Sequence, residues 1–372
     1  MNQFGRHFRL SLFGESHGPG VGVVLDGVPP GRPLDVAAMQ ADLDRRRPGA
    51  SSLTSQRQEP DVPRILSGVH GGRTTGAPLC VWIENRDADS RPYESTARVP
   101  RPGHADWVDH AWSQGFSDPR GGGHASGRLT APLVAAGAVA RLLLPGIQVA
   151  AHLHQVRDIA GPPNALCAAD MAAGASRSRL ATAHGGLEDS FVAAIEEARR
   201  GQDSVGGVVE FVAEGVPLGL GDPFFDAVES TLAHLLFAVP AVKGVEFGEG
   251  FAAAGMPGSV HNDPYEVRDG GVAPASNHAG GILGGRTTGE ALRGRVAFKP
   301  TSTLPGRPQQ SVDLDTLVPV TLRATGRHDP CIAIRAVPVV EACVRIVLAD
   351  HLLGSTRAPG PQPAGPPPRR AP

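Results

Sequence analysis

Short apolar runs that suit strands alternate along this chain with longer stretches whose apolar residues recur at helical spacing. Val21 to Leu25 is such a run, ended by Gly27-Val28-Pro29-Pro30-Gly31, and predicts a strand followed by a turn. Beyond it Val36, Met39 and Leu43 mark a helix that stops at Pro48-Gly49, so Arg45, Arg46 and Arg47 fall in its last turn. Leu79 to Ile83 reads as a buried strand. The Ala/Leu/Val run from Arg128 to Leu144, with Gly137 its one internal glycine, reads as a core helix. Val208 to Val212, Gly215-Val216-Pro217-Leu218-Gly219 and a helical stretch from Pro223 to Phe237 echo the strand, turn and helix of the first quarter. Gly294 to Phe298 predicts a further strand. Ile332 to Leu353 is apolar but carries Arg335, Glu341, Arg345 and Asp350, which predicts a buried amphipathic helix and excludes a membrane span.

This alternation places the chain in the α/β (α+β) class, and the echo favours two related halves over two unrelated domains across 1–357. The Ala/Gly/Ser-rich stretch at 161–186 reads as a surface insertion, and the Pro-rich tail 358–372 as disordered. A hydrophobic content of 41% supplies a core, and a net charge of −2 leaves no basic footprint for nucleic acid or a membrane surface. With 48 glycines and 35 prolines the chain has many turns and close backbone approaches, which suits loops that wrap a ligand. Cys80, Cys167, Cys331 and Cys343 have no paired spacing, so neither a zinc site nor a disulfide framework is expected. Met1 to Leu12 lacks an apolar signal core, and reduced thiols in the cytoplasm are the plain reading.

Candidate chemistry concentrates in glycine-rich loops. Gly14-Glu15-Ser16-His17-Gly18 sets an acid, a hydroxyl and an imidazole where backbone can approach a ligand, although a hydrogen-bonded loop histidine explains the pentapeptide equally well. Arg101-Pro102-Gly103-His104-Ala105-Asp106 holds a second histidine in a rigid turn. The loop from Arg120 to Thr130 opens the long helix, so its free N–H groups, with Ser126, Arg128 and Thr130, make an anion cradle. Ser276 to Gly285 is another such loop, and Lys299-Pro300-Thr301-Ser302-Thr303 ends a strand with a cation and three hydroxyls. Arg327-His328-Asp329 precedes the last helix, where Asp329 could equally be a cap. No Walker A loop or dinucleotide fingerprint is present. His152 and His154, without a carboxylate or thiol companion in sequence, read as surface residues, and no metal site is expected.

Taken together these segments resemble the chorismate synthase family from about Phe8 to Leu353. Its signature blocks match G-E-S-H-G at 14–18, G-G-G-H-x-S-G-R-L-T at 121–130, and R-H-D-P-C with R-A-V-P-V-V-E-A across 327–342. D-L-D-R-R-R-P-G at 42–49, R-P-G-H-A-D, A-V-K-G-V-E-F-G, S-N-H-A-G-G-I-L-G-G and K-P-T-S follow in family order. The resemblance implies a β-α-β sandwich with internal pseudo-duplication, usually a homotetramer, and an anti 1,4-elimination of phosphate and the C6 proton from 5-enolpyruvylshikimate 3-phosphate. Reduced FMN is the implied cofactor. By the same resemblance His17 assists the departing phosphate, His104 is a proton donor, and Asp329 with Ser16 and Ser126 assists proton removal. Arg46, Arg128 and Arg335 would bind the anionic substrate. Flavin contacts would come from His124, Ala125, Ser126, Ala241, Gly284, Lys299, Pro300, Thr301, Ser302, Thr303 and Arg327. Pro240 stands where some relatives have Asn, which removes one donor. Ser52 stands where others carry an Arg associated with the nicotinamide phosphate, so NADPH is expected to act only through a separate flavin reductase. A non-catalytic flavin- or anion-binding relative, or a lyase on a related phosphorylated cyclohexene, is the alternative. Because both lie in Gly/Pro-bounded loops, His17 and His104 are expected to tolerate truncation without loss of stability.

Overall fold

Two antiparallel sheets enclose four helices in this computed structural model, which describes residues 2–49, 53, 59–87, 89–90, 93, 97–324 and 329–355. Ser52, Arg327, His328 and the Pro-rich tail lie outside the described residues. The first sheet has the order β1-β2-β3-β7-β4, from β1 (Gln3–Phe4), β2 (Arg9–Gly14), β3 (Gly20–Asp26), β4 (Pro63–Ser67) and β7 (Leu79–Glu84). The second runs β11-β16-β10-β8-β9, from β8 (Gln148–Val156), β9 (Ile159–Ala160), β10 (Gly207–Glu214), β11 (Val242–Phe247) and β16 (Leu292–Phe298). Small ribbons complete the strand set: β5 (Val69–His70) with β6 (Arg73–Thr74), β12 (Tyr265–Arg268) with β13 (Gly271–Pro274), β14 (Ile282–Leu283) with β15 (Arg286–Thr287), and β17 (Pro308–Val312) with β18 (Pro319–Arg323).

The helices are α1 (Val36–Arg46), α2 (Asp106–Trp112), α3 (Thr130–Arg141), α4 (Ala168–Arg177), α5 (Glu188–Arg200), α6 (Val228–Ala238), α7 (Gly258–His261) and α8 (Ala333–Gly354). α1 and α3 cover the first sheet, while α6 and α8 cover the second. In each half a helix follows the second main strand (α1 after β3, α6 after β10) and another closes the unit (α3 after β7, α8 after β16). The strand orders β2-β3-β7-β4 and β8-β10-β16-β11 superimpose under that correspondence. The duplication heard faintly in the sequence is thus explicit in the topology.

α8 differs from the amphipathic helix expected. It is buried on all sides from Ala333 to Ala349 except Arg335, because it lies between α3 and the second sheet. Its charges are tolerated because each is paired: Glu341 takes both Nη atoms of Arg45 at 2.8 Å, and Arg345 reaches Asp42 at 3.3 Å. The contact of α3 with α8 depends on Gly137, where an added Cβ would lie 2.4 Å from Ala342 Cβ and 2.5 Å from its Cα. Gly137→Val is therefore expected to destabilise the protein at the upper end of about 1–3 kcal/mol. An unchanged urea midpoint would show that the two helices do not pack this closely.

Three further expectations need correction. The helix expected from Pro223 begins only at Val228, since Asp222 and Asp226 exchange backbone hydrogen bonds at 3.1 Å and close a loop that leaves Phe224 and Phe225 exposed. The 161–186 stretch is not a loose insertion: α4 buries Ala168, Met171 and Ala175 against β8. Its alanines look loop-like in composition but are the small residues that allow close packing. His152 and His154 are not surface residues either. Both are buried, and the missing carboxylate companion is Glu210, which pairs with His152 across β8 and β10. The four cysteines carry no disulfide, and burial pushes the Cys331 thiol up to about 12.

Candidate active site

Helix geometry separates Arg45 from Arg46 at the end of α1, because successive residues turn by about 100°, and Arg47 follows as the extended C-cap. Arg45 reaches buried Glu341 from a partly exposed position and Arg47 pairs with Asp44 at the surface, while Arg46 is fully buried at 2% exposed. Arg46 Nη2 donates to Asp61 at 2.7 Å and Nη1 to Thr130 Oγ1 at 3.2 Å. Asp61 also receives Nη1 of Arg128, whose Nε donates to Asn85 Oδ1 at 2.7 Å. Arg335, from the first turn of α8, donates to Asp329 at 2.6 Å and to the Arg46 carbonyl at 2.9 Å. Burial, with Arg335 and Arg128 close by, brings the Arg46 pKa down to about 10 despite Asp61. Burial alone would raise the Asp61 pKa, but the two guanidiniums outweigh it and hold the carboxyl low.

These arginines line a cavity of about 220 Å³ between the two sheets, together with Ser16, His104, Ser126, Thr301, Ser302, Thr303 and Asp329. α3 and α8 both begin at this cavity, and neither has a side-chain cap, so their positive ends face it. Two buried polar atoms of lining residues lack a hydrogen-bond partner, Arg46 Nε and Thr301 Oγ1. A buried donor without a partner is costly, and an anionic ligand would satisfy it.

The histidine loops meet at the mouth. Gly121, Gly122 and Gly123 take φ values of 65°, 99° and 52°, which only glycine adopts in succession without strain. Their missing Cβ atoms also admit the rings, since a Cβ on Gly121 would lie 2.3 Å from His17 Cδ2 and one on Gly122 2.8 Å from His104 Cε1. His104 Nδ1 lies 2.7 Å from Asp106 Oδ1, and Arg101 clamps the same carboxylate at 2.7 and 2.8 Å. Burial opposes the Asp106 charge, but the bonds from Arg101 and His104 hold its pKa well below the usual range. With Nδ1 engaged, Nε2 is the ring atom of His104 available to the cavity. His17 is 9% exposed and does not line the cavity; its ring packs on Gly121 and edge-on to Tyr93, with Nδ1 3.0 Å from Ser90 Oγ. The expectation that His17 can be truncated without loss of stability is therefore not met by its surroundings, whereas half-exposed His104 fits it.

Lys299 Nζ and Ser302 Oγ both donate to the Gly103 carbonyl, at 2.8 and 2.6 Å, which docks the K-P-T-S-T segment onto the His104 turn. Ala241 sits beside lining Pro240 and accepts the Lys299 N–H at 2.9 Å. Other expected contacts lie apart from the lining. His124 is exposed and bonds Gly14 O and Asn2 Oδ1, Ala125 and Pro300 are exposed, and Gly284 turns the β14-β15 ribbon. Sequence reasoning missed Glu59, Asp61, Asn85, Tyr93 and Asp106. For Glu59 and Asp61 the signal is the rigid Glu59-Pro60-Asp61-Val62-Pro63, and for Asp106 its place in the Arg101–Asp106 turn.

A family model described as chorismate synthase matches residues 8–353. The chain is 49% identical over 359 residues to a chorismate synthase of Korarchaeum cryptofilum, covering 95% of this chain and 98% of that one. It is 47% identical to one of Chitinophaga pinensis, covering 96% and 98%. A crystal structure of chorismate synthase superimposes with a TM-score of 0.74 at 29% identity, covering 94% of this chain and 93% of the other.

Proposed function

The chain belongs to the chorismate synthase family, lyases of aromatic biosynthesis, and from that premise we propose that its cavity eliminates phosphate and the C6 proton from 5-enolpyruvylshikimate 3-phosphate. The observation that carries this reading is the convergence of Arg46, Arg128 and Arg335 on one cavity with two uncapped helix starts. A substrate with one phosphate and two carboxylates needs that density of fixed positive charge. The three guanidiniums are held by Asp61 and Asp329 before any ligand arrives, so little ordering is left for binding.

Reduced FMN is the proposed cofactor, held by Ser126, Lys299 and Thr301 to Thr303, with Ala241, Arg327 and the more distant His124, Ala125, Pro300 and Gly284 as further contacts. The unpartnered Thr301 hydroxyl supports this fit. When bound it supplies electron density that eases C–O cleavage in a reaction with no net redox change. His104 donates its Nδ1 proton to Asp106, whose carboxylate steadies the protonated ring, so that Nε2 is the position from which it would give up a proton. His17, one layer behind Gly121, assists the departing phosphate, and Asp329, oriented by Arg335, takes the C6 proton with Ser16 and Ser126 near it.

A homotetramer in the cytoplasm is the proposed state, supported by Phe224, Phe225 and Phe251, which are 90%, 92% and 82% exposed here. No helix among the described residues is long and apolar enough to cross a membrane. NADPH is proposed to act only through a separate flavin reductase, because Ser52 offers one neutral donor in place of an arginine fork. Anaerobic mixing with substrate and dithionite-reduced FMN should release phosphate, whereas oxidised FMN plus NADPH should release none. No release with reduced FMN would overturn the activity; sustained release with NADPH alone would overturn the dependence on a reductase.

A further inference from the structure

The face of the second sheet turned away from α8 carries a row of charge. Glu246, Arg295, Glu210 and His152 lie directly opposite one another on β11, β16, β10 and β8. Arg295 is paired with Glu246 at 2.6 Å. Glu210 is left to the histidines at the other end of the row. His154 shares this face with His152, two residues on along β8. The 161–186 segment then folds over it and brings a third imidazole, His184, whose ring centroid is 4.7 Å from that of His152 and 5.5 Å from that of His154. One coordinating atom from each of these four residues lies within 4.8 Å of the others.

We propose that His154, His184 and Glu210 form a binding site for a divalent transition-metal ion of the zinc type, with His152 orienting the carboxylate. The distances favour a metal site over a hydrogen-bonded cluster. His154 Nδ1 lies 3.4 Å from His184 Nε2 and 3.6 Å from Glu210 Oε2. Both exceed the ordinary hydrogen-bond range of about 2.7–3.2 Å. A tetrahedral zinc ion with bonds of about 2.0–2.2 Å, by contrast, sets neighbouring ligand atoms about 3.4 Å apart.

The hydrogen-bond roles agree. His154 Nδ1 and His184 Nε2 face each other, and a neutral imidazole presents a ring lone pair to a metal. His152 does the opposite job. Its Nδ1 accepts the Ala183 N–H at 3.1 Å, so its proton sits on Nε2 and is donated to Glu210 Oε2 at 3.0 Å. The Asn164 N–H fixes the other oxygen, Oε1, at 2.6 Å. Outer groups that hold a ligating carboxylate in this way are a regular part of metal sites.

Gly161 gives an independent sign that the His184 position is built. Its φ is not positive, so no turn requires glycine, yet a Cβ there would lie 2.2 Å from His184 Cδ2 and 2.3 Å from Nε2. Space for the imidazole explains that glycine. The ion would pin the 161–186 segment to the sheet, with a fourth position left for water beside half-exposed His184.

This site does not depend on the activity proposed above and is tested by binding alone. Chelator-treated full-length protein is titrated with Zn²⁺, with bound metal counted after dialysis, and in parallel with Co²⁺ as a spectroscopic probe. A single retained zinc ion per chain, Co²⁺ absorption bands of a tetrahedral site and a higher Tm with zinc are expected. His184→Ala, a half-exposed position, should lose all three; the exposed control His70→Ala should keep them. His152→Ala should weaken binding by about 10–100-fold, as for other ligand-orienting groups. Wild-type protein that retains no zinc, a Co²⁺ spectrum without tetrahedral bands, or equal affinity in wild type and His184→Ala would each overturn the proposal.

Discussion

Replacing His104 by alanine is expected to lower turnover by about 10²–10⁴-fold, the range for loss of a positioned acid or base, with the melting temperature nearly unchanged. The reason for the second half is local. The His104 side chain is 22% exposed at the cavity mouth, so its removal opens no sealed void. The Arg101–Asp106 pair that supports it remains closed through 2.7 and 2.8 Å bonds. Asp106→Asn makes a sharper comparison, because it keeps the shape but removes the charge and leaves one acceptor oxygen for Arg101 and the His104 Nδ1 proton to share. That variant should show a smaller loss of turnover and a displaced pH–rate profile, as expected of a positioning residue. His17→Ala should lose activity too, but with a fall in stability, since its ring fills space against Gly121 and Tyr93. Steady-state rates with reduced FMN and thermal melts on the same preparations check all three. Turnover of His104→Ala within a few-fold of wild type, in folded protein, would remove His104 from the chemistry.

Arg46→Gln should be the most damaging change to both binding and stability. Breaking a buried ion pair from one side costs about 3–5 kcal/mol, because the remaining charge stays buried. Here Asp61 keeps Arg128, which places the loss toward the lower end. Substrate affinity should fall as well, because Arg46 Nε is a buried donor without a partner in the cavity lining. The pH dependence follows from Asp61, whose pKa is lowered from 3.8 in the folded protein. A carboxylate shifted this way contributes its full stability above the unfolded pKa and loses it as pH falls from there through the lower folded pKa. The gap in stability between wild type and Arg46→Gln should therefore be widest near neutrality and narrow below about pH 4, near the unfolded Asp value. Denaturant midpoints measured at several pH values test this, and a gap that stays constant into acid would show that Asp61 is not the partner that matters.

The sequence by itself determined the elements and the chemistry of the loops. Val21 to Leu25, Leu79 to Ile83 and Val208 to Val212 are short apolar runs between turn residues, and each became a strand, because burial on one or both faces leaves a plain local record. The glycine-rich loops were legible for a similar reason: three consecutive positive φ values at 121–123 can be met only by glycine. Pairing across the chain leaves no such record. Asp61 lies 15 residues from Arg46 and 67 from Arg128, and nothing local marks it as the anion between two guanidiniums. The His124 ring, in the middle of a signature loop, turns outward to Gly14 and Asn2, while His104 from another loop lines the cavity. Only the packing of the two sheets on α3 and α8 decided which loop residues share that space. The same holds for His152 and His154, whose carboxylate partner sits 58 residues on from His152, and whose third imidazole arrives on a segment that composition alone reads as loop. Alternation along β8 set the face of these histidines, but the register of β8 against β10 set what they meet.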